Sequence, residues 1–312
     1  MGIEIVQTTA MPPAIQQELD SRYTAHRLWE AQDHDALLKR VAPQVRGIAT
    51  SGGAGASAAL IRALPKLEII SSFGVGYDSI DIDCAKQGGI IVTNTPDVLT
   101  DDVADLAMAL LLGMIRRIPQ GDHFVRQGRW PKDKFALTDK LGGKIMGIVG
   151  LGRIGQAIAR RSEPFGVEIR YFGPRKKADQ PYRYYDNLVA MAQDVDILMI
   201  SSPGGKDTQG IVNAEVIEAL GPSGYVVNIA RGSIVDEPAL VKALVEGKLA
   251  GAGLDVFADE PNVPEALWKL EHVTLAPHVG SATHATRHAM GELMLKNLAA
   301  HFSGQPVLTR VV

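Results

Sequence analysis

At 312 residues, with 46% hydrophobic and 21% charged residues, a formal net charge of -3 and a pI near 6.2, the chain has the composition of a folded globular protein long enough for about two domains. The near-neutral balance removes any general electrostatic reason to expect nucleic acid or an anionic membrane as a partner. A single cysteine, Cys84, cannot form an intramolecular disulfide, which suits a reducing, cytoplasmic setting.

The first residues carry Glu4, Glu18 and Asp20 and no continuous apolar core, so no targeting segment is expected. Val6 also stands where a myristoylation motif beginning at Gly2 would want Ser or Thr. Short β-like runs follow at 3–6, 47–50, 67–71 and 90–93, with Pro12 and Asp33 near helix starts, in the rhythm of a parallel α/β sheet. The stretch 101–117 reads as a long helix opened by Asp101 and Asp102, whose charges suit a helix N-terminus. Its apolar run, 106–115, is too short to span a bilayer. A second series of strands is expected at 145–149, 168–171, 197–200, 226–229 and 252–256, and the two series read as separate sheets because together they exceed an ordinary single domain. The stretch 283–302 carries Met290, Leu293, Met294 and Leu298 at helical spacing and reads as an amphipathic, core-packing helix. His284 and His288 lie four apart within it, but without an adjacent glutamate or a third ligand no metal is expected.

Gly150, Leu151, Gly152, Arg153, Ile154 and Gly155 sit between the apolar run 145–149 and the amphipathic stretch 154–165. A strand, glycine turn and helix in that order form a dinucleotide-binding signature. The first glycine permits the tight turn, the second lets backbone approach a pyrophosphate, and the third packs helix on strand. About 20 positions on, a site for NAD(H) expects a carboxylate for the ribose hydroxyls. Here the chain reads Tyr171, Phe172, Gly173, Pro174, Arg175, Lys176, Lys177. Arg175 and Lys176 suit a 2′-phosphate instead, so NADP(H) is expected to be preferred, with NAD(H) possible.

Interconverting a carbonyl and an alcohol needs a proton donor at the oxygen, and histidine is the usual choice near neutral pH. Of the eight histidines, His278 follows an apolar run and Pro277 and precedes Val279, Gly280 and Ser281, a strand-end loop of the kind where α/β sites gather. Glu260, in the loop after another strand, is the candidate carboxylate to orient it. Arg231, after the run 226–229, is the candidate cation for a substrate carboxylate.

With these residues in place the chain resembles the D-isomer-specific 2-hydroxyacid dehydrogenases, in the branch of glyoxylate/hydroxypyruvate and hydroxyphenylpyruvate reductases. The resemblance runs through 72–78, 92–105, 150–155, 228–232, 253–257 with Glu260 and Pro261, and 277–281. It implies two Rossmann-like parallel-sheet domains with an active-site cleft between them: a discontinuous substrate-binding domain of 1–98 and 284–312, and a dinucleotide-binding domain of 99–283. It implies NADPH-dependent reduction of a small 2-oxo acid to the D-2-hydroxy acid, with Arg231, Glu260 and His278 catalytic. Val75, Gly76, Arg231, His278 and Ser281 would meet the substrate. Residues 150–155, Pro203, Thr208, Ile229, Asp255 and Gly280 would meet the cofactor, with Arg175 and Lys176 at its phosphate. A homodimer through the cofactor domain is implied, covering the apolar face of the helix at 101–115. The alternatives are a reductase of a bulkier 2-oxo acid, such as 4-hydroxyphenylpyruvate or 2-ketogluconate, or a dinucleotide-sensing protein like a transcriptional corepressor.

Two stretches depart from the relatives. Pro174 stands where NADP-using members often carry arginine, one residue before Arg175. The loop 51–55, which borders the substrate side chain in relatives, is here Ser, Gly, Gly, Ala, Gly, leaving either extra room or a mobile loop. Trp130 reads either as a packed surface aromatic or as a residue reaching a neighbouring subunit's site.

Overall fold

The computed structural model describes residues 2–312. It begins β1 (Ile3–Gln7), α1 (Pro13–Arg22), β2 (Tyr23–Arg27), α2 (His34–Val41), β3 (Val45–Ser51), α3 (Ala58–Arg62), β4 (Ile69–Phe73), α4 (Ile82–Gln87) and β5 (Ile91–Thr93). It continues through α5 (Thr100–Ile115), α6 (Ile118–Arg126), β6 (Ile145–Val149), α7 (Arg153–Ser162), β7 (Glu168–Phe172) and β8 (Arg183–Tyr185). Then come α8 (Leu188–Gln193), β9 (Ile197–Ile200), α9 (Ala214–Leu220), β10 (Tyr225–Asn228), α10 (Glu237–Val245), β11 (Gly251–Leu254), β12 (Val273–Leu275) and α11 (His284–Phe302). The chain divides into two compact units, Met1–Leu99 with Ser281–Val312, and Thr100–Gly280.

The first unit holds a parallel sheet of order β2-β1-β3-β4-β5. Ile5, Val6, Ile48, Ile69, Ile70 and Val92 are fully buried on it, as a parallel sheet covered on both faces requires. Pro12 and Asp33 cap α1 and α2, the Asp33 side chain accepting the Ala36 amide at 2.9 Å. From α11, Met290, Met294 and Leu298 enter the core. Helix α1 lies so close to α11 that a Cβ added at Gly291 would overlap the Ile15 side chain. The open edge of β5 is covered by the chain's end, where the Val311 amide donates to Val92 O at 2.7 Å and Arg310 bridges Thr93.

The second unit holds a parallel sheet of order β12-β11-β10-β9-β6-β7-β8. Chain order reverses between β6 and β9, so the loops leaving these two strands part there and open a crevice at the strands' carboxyl ends. Strands β2 and β8 each lie at a sheet edge, which explains why their mixed sequences, Tyr-Thr-Ala-His-Arg and Arg-Tyr-Tyr, carry no continuous apolar run.

Helix α5 corrects one expectation. A second subunit is not needed to cover its apolar face, because Leu110 and Met114 lie where side chains on Gly253 and Gly251 of β11 would otherwise sit, at 3.1 and 3.2 Å. The lack of side chains at Gly251 and Gly253, on the face of β11 toward α5, lets the helix lie on the sheet. Arg161 of α7 then ties α5 down through Asp101 at 2.9 Å and Asp105 at 2.6 Å. Among the described residues no helix is long and apolar enough to cross a membrane.

Candidate active site

The glycine turn follows β6. Gly150 has φ of 94°, open to glycine at little cost, and a Cβ there would stand 2.6 Å from Ser202 Cα. A Cβ on Gly155 would stand 2.5 Å from Gly150 O, so the third glycine sets the approach of α7 to the turn. Gly152 differs: it is the N-cap of α7, makes no side-chain cap, and a Cβ there would meet nothing within 4 Å. The first-turn amides of α7 therefore face open space, the donor arrangement that fits a pyrophosphate. Leu151 is buried, Ile154 half-buried and Arg153 exposed.

The basic loop begins beside this turn, since the Gly150 amide donates to Phe172 O at 2.9 Å. Two tyrosines hold it: Tyr184 Oη donates to Gly173 O at 3.0 Å, and Tyr171 Oη accepts the Lys177 amide at 2.8 Å. Arg175 and Lys176, between these anchors, are exposed. After β9, Thr208 Oγ1 donates to Pro203 O at 2.7 Å, folding 203–208 into a compact loop on the other side of the crevice. Ser202, which the sequence reading passed over, is buried with no hydrogen-bond partner for its hydroxyl among the described residues and lies against Gly150.

Loops after β10, β11 and β12 carry the remaining candidates of this unit. Arg231 follows β10, where Asn228 accepts the Ala230 amide at 3.0 Å and donates to Arg231 O at 2.9 Å. Its guanidinium donates to Ala230 O at 2.7 Å, and Ile229, two residues earlier, is buried. A Cβ on the next residue, Gly232, would overlap the backbone of Phe257, which draws the Arg231 loop onto the one that carries Glu260. Asn228 was also absent from the expected site residues, although it opens the stretch 228–232 that carries part of the resemblance.

His278 Nδ1 lies 2.6 Å from Glu260 Oε2, while Glu260 Oε1 accepts the Phe257 amide at 3.0 Å. The carboxylate is fixed from behind, and the imidazole keeps Nε2 for other partners. His278 has φ of 52°, a left-handed conformation that costs a side-chain residue on the order of 1 kcal/mol. Asp255 holds it there. The His278 amide donates to Asp255 O at 2.9 Å, Val279 to Oδ1 at 2.7 Å and Gly280 to Oδ2 at 2.8 Å, so three consecutive amides end on one residue. Asp255 is 1% exposed. Burial pushes its carboxyl above the usual range, against the pull of the Val279 and Gly280 amides.

In the other unit, Val75 and Gly76 follow β4. The Gly74 amide donates to Thr95 Oγ1 at 3.0 Å, Thr95 N to Gly74 O at 2.9 Å, and Asn94 Nδ2 to Val75 O at 2.9 Å. This bracing leaves the Val75 and Gly76 amides with no acceptor among the described residues. Ser281, half-buried, opens this unit's second segment. The 51–55 loop is braced as well, with Ser79 Oγ donating to Gly52 O at 2.8 Å and Thr50 Oγ1 to Gly55 O at 2.7 Å. Its small residues thus stand in an ordered hydrogen-bonded turn.

A glycine turn built for a dinucleotide, followed by a braced histidine–carboxylate pair, has relatives. Residues 108–280 match the D-isomer specific 2-hydroxyacid dehydrogenase, NAD binding domain. The chain belongs to the D-isomer specific 2-hydroxyacid dehydrogenases. It is 51% identical to a hydroxyphenylpyruvate reductase of Plectranthus scutellarioides, over 100% of this chain and 99% of that one. It is 48% identical to glyoxylate/hydroxypyruvate reductase A of Arabidopsis thaliana, with the same coverage. Among solved structures, an NADPH-dependent glyoxylate/hydroxypyruvate reductase from Sinorhizobium meliloti, in complex with NADP and malonate, superposes with a TM-score of 0.94 at 45% identity, over 100% of this chain and 97% of that one. As a member of this dehydrogenase family the chain is an oxidoreductase, and its glycine turn fits NAD(P)(H).

Proposed function

We propose that this dehydrogenase reduces small 2-oxo acids, glyoxylate and hydroxypyruvate, to D-2-hydroxy acids, with NADPH preferred over NADH. The observation that carries the reading is the 2.6 Å contact between His278 Nδ1 and Glu260 Oε2. The Gly150–Gly155 turn would hold the reduced cofactor, with Arg175 and Lys176 at its 2′-phosphate, and the cofactor would supply the hydride. Arg231 grips the substrate carboxylate bidentately and the amides of Val75 and Gly76 add donors to it. Glu260 accepts the Nδ1 proton of His278, which leaves Nε2–H to protonate the carbonyl oxygen as the alcohol forms. Thr208 and Pro203 border the adenosine, Ile229, Asp255 and Gly280 the nicotinamide, and Ser281 the substrate. In this reading the Thr100–Gly280 unit is the dinucleotide domain and the remainder the substrate domain.

A bulkier substrate is the second reading, favoured by the 51–55 turn, whose lack of large side chains suits a long 2-oxo acid such as 4-hydroxyphenylpyruvate. A homodimer is supported by exposed apolar side chains on and after α6: Ile118 at 60%, Val125 at 53%, Trp130 at 70% and Leu137 at 98%. A cytoplasmic setting is supported by Cys84, free and buried. Steady-state kinetics with glyoxylate, hydroxypyruvate, pyruvate, 4-hydroxyphenylpyruvate and 2-ketogluconate, each with NADPH and NADH, tests substrate and cofactor together. Highest kcat/KM on glyoxylate or hydroxypyruvate is expected, and absence of turnover with every acid overturns the reading.

A further inference from the structure

Within the unit of Met1–Leu99 and Ser281–Val312, a cavity of about 390 Å³ lies where α1 and α11 begin. None of its lining residues enters the reaction above. Its place follows from the helix packing. Gly291 lets Ile15 press onto α11, and the cavity opens one to two turns nearer the N-termini, over Pro12, Thr283, His284, Arg287 and His288.

The lining is largely apolar; its only basic side chains are those of Arg287, His284 and His288, and it holds no carboxylate. Arg287 is half-buried, with its guanidinium 5.6 Å from the centre of the Phe73 ring. It is ion-paired to no carboxylate among the described residues, and burial alone acts on it, pulling its pKa down. Elsewhere in this unit Arg22, Arg27 and Arg46 have carboxylate partners within 3.3 Å, and Arg40, Arg62 and Arg310, in no ion pair among the described residues, are exposed to solvent. His288 has Glu292 at 3.2 Å, but that carboxylate lies outside the lining and is shared with Lys296 at 3.0 Å.

A partly desolvated cation is ordinarily paired. A guanidinium kept without an anionic partner at the wall of a cavity is a donor fork open to a carboxylate or phosphoryl group. The volume falls at the small end of small-molecule sites, roughly 300–1,000 Å³, enough for a compact polyanion. The positive ends of α1 and α11 add a field of the same sign.

We propose that this cavity binds a small, multiply charged oxyanion, a phosphate monoester or a polycarboxylate, with Arg287 as its principal contact and His284 and His288 as further donors. Acetate, with a single charge, binds more weakly.

Calorimetric titration of the full chain with inorganic phosphate, citrate and acetate, at ionic strength held constant with sodium chloride, tests this. Saturable binding of phosphate or citrate is expected, weakened at least tenfold in Arg287→Gln and partly restored in Arg287→Lys. A variant with both Arg175→Ala and Lys176→Ala is expected to bind as the parent does. In the unmutated protein the ring signals of His284 and His288 shift as the anion is added, which keeps the test valid if Arg287→Gln does not fold. The proposal is overturned if neither phosphate nor citrate saturates, if Arg287→Gln binds unchanged, if the histidine signals stay still, or if binding is lost in the Arg175/Lys176 variant, which would move it to the cofactor loop. No turnover is read, so the result is independent of which 2-oxo acid the enzyme reduces.

Discussion

Glu260 Oε2 sits 2.6 Å from His278 Nδ1 while its other oxygen is held by the Phe257 amide. Each carboxylate oxygen therefore has its own task. Glu260→Gln keeps one acceptor and substitutes a donor for the other, so the imidazole loses its fixed tautomer. We expect kcat to fall about a hundredfold with KM changed only a few-fold, and His278→Ala to lower kcat by about 10²–10⁴. Initial rates with 2-oxo acid and NADPH check both. Near-normal turnover in His278→Ala would show that the proton comes from elsewhere.

Asp255 acts on the same histidine through the backbone. Asparagine there offers one acceptor oxygen in place of two and points an NH₂ at a loop amide. A buried donor without its acceptor costs about 1–3 kcal/mol, and Asp255 is 1% exposed. Asp255→Asn should lower Tm by several degrees and reduce kcat, because one of the two side-chain anchors of the loop after His278, at Val279 or Gly280, is lost while the His278 amide keeps its bond to the Asp255 backbone. A Tm equal to that of the parent would mean the loop is held by other contacts.

Glu68 gives a pH dependence remote from the chemistry. Arg46 donates to it through Nε at 2.6 Å and Nη2 at 3.0 Å, and His301 Nε2 stands 3.0 Å away. The hydrogen bonds from Arg46 hold its carboxyl below the usual range, with help from His301 and against burial. A depressed folded-state pKa means the stabilisation is present above the ordinary carboxylate value, about 4.3, and is lost as pH falls through the lower folded value. The side chain is 38% exposed, so solvent screening limits the effect to about 1 kcal/mol. Urea unfolding at pH 6 should find Glu68→Gln less stable than the parent, with the gap closing toward pH 3. A gap of equal size at both pH values would exclude the ionised pair as its source.

Much of this was legible in the chain because it rests on local rules. The glycine spacing at 150, 152 and 155, the caps at Pro12 and Asp33, and the long helix after Asp101 are signals within a few residues of the structure they specify. Strands β2 and β8 escaped because solvated edges need no apolar run. Asn228 and Ser202 escaped for a different reason. Their roles depend on partners brought to them by neighbouring loops and strands: Asn228 on the turn to Arg231, and Ser202 on β9 lying beside β6. The cover of α5 was misjudged because glycines at 251 and 253 become a helix seat only once β11 is known to lie beneath Leu110 and Met114.

The cofactor preference has its own test. Arg175 and Lys176 stand exposed between anchors at Gly173 and Lys177, so removing both should leave the loop in place and subtract only charge. We expect the double alanine variant to weaken NADPH at least tenfold and NADH little, read by cofactor fluorescence titration. Charge-assisted bonds to a phosphate are worth about 1.5–3 kcal/mol, which corresponds to that range or more. An equal loss for both cofactors would assign the loop to something other than the 2′-phosphate.

The glycine turn separates binding from folding most cleanly. At Gly155 an added methyl would stand 2.5 Å from Gly150 O and 2.9 Å from Ser201 Oγ, both part of the packed turn. Gly155→Ala must therefore push α7 away from β6, and overpacking of this kind costs about 1–3 kcal/mol. At Gly152 the same methyl meets nothing within 4 Å, and the backbone, with φ of -78°, is one alanine can adopt. Gly152→Ala should fold with the parent's Tm, yet its methyl occupies the space in front of the α7 amides where the pyrophosphate belongs. We expect Gly152→Ala to lose most NADPH affinity at unchanged stability, and Gly155→Ala to lose stability first. Thermal unfolding and cofactor titration on the two variants distinguish these outcomes; full NADPH affinity in Gly152→Ala would mean that the dinucleotide does not lie across this turn.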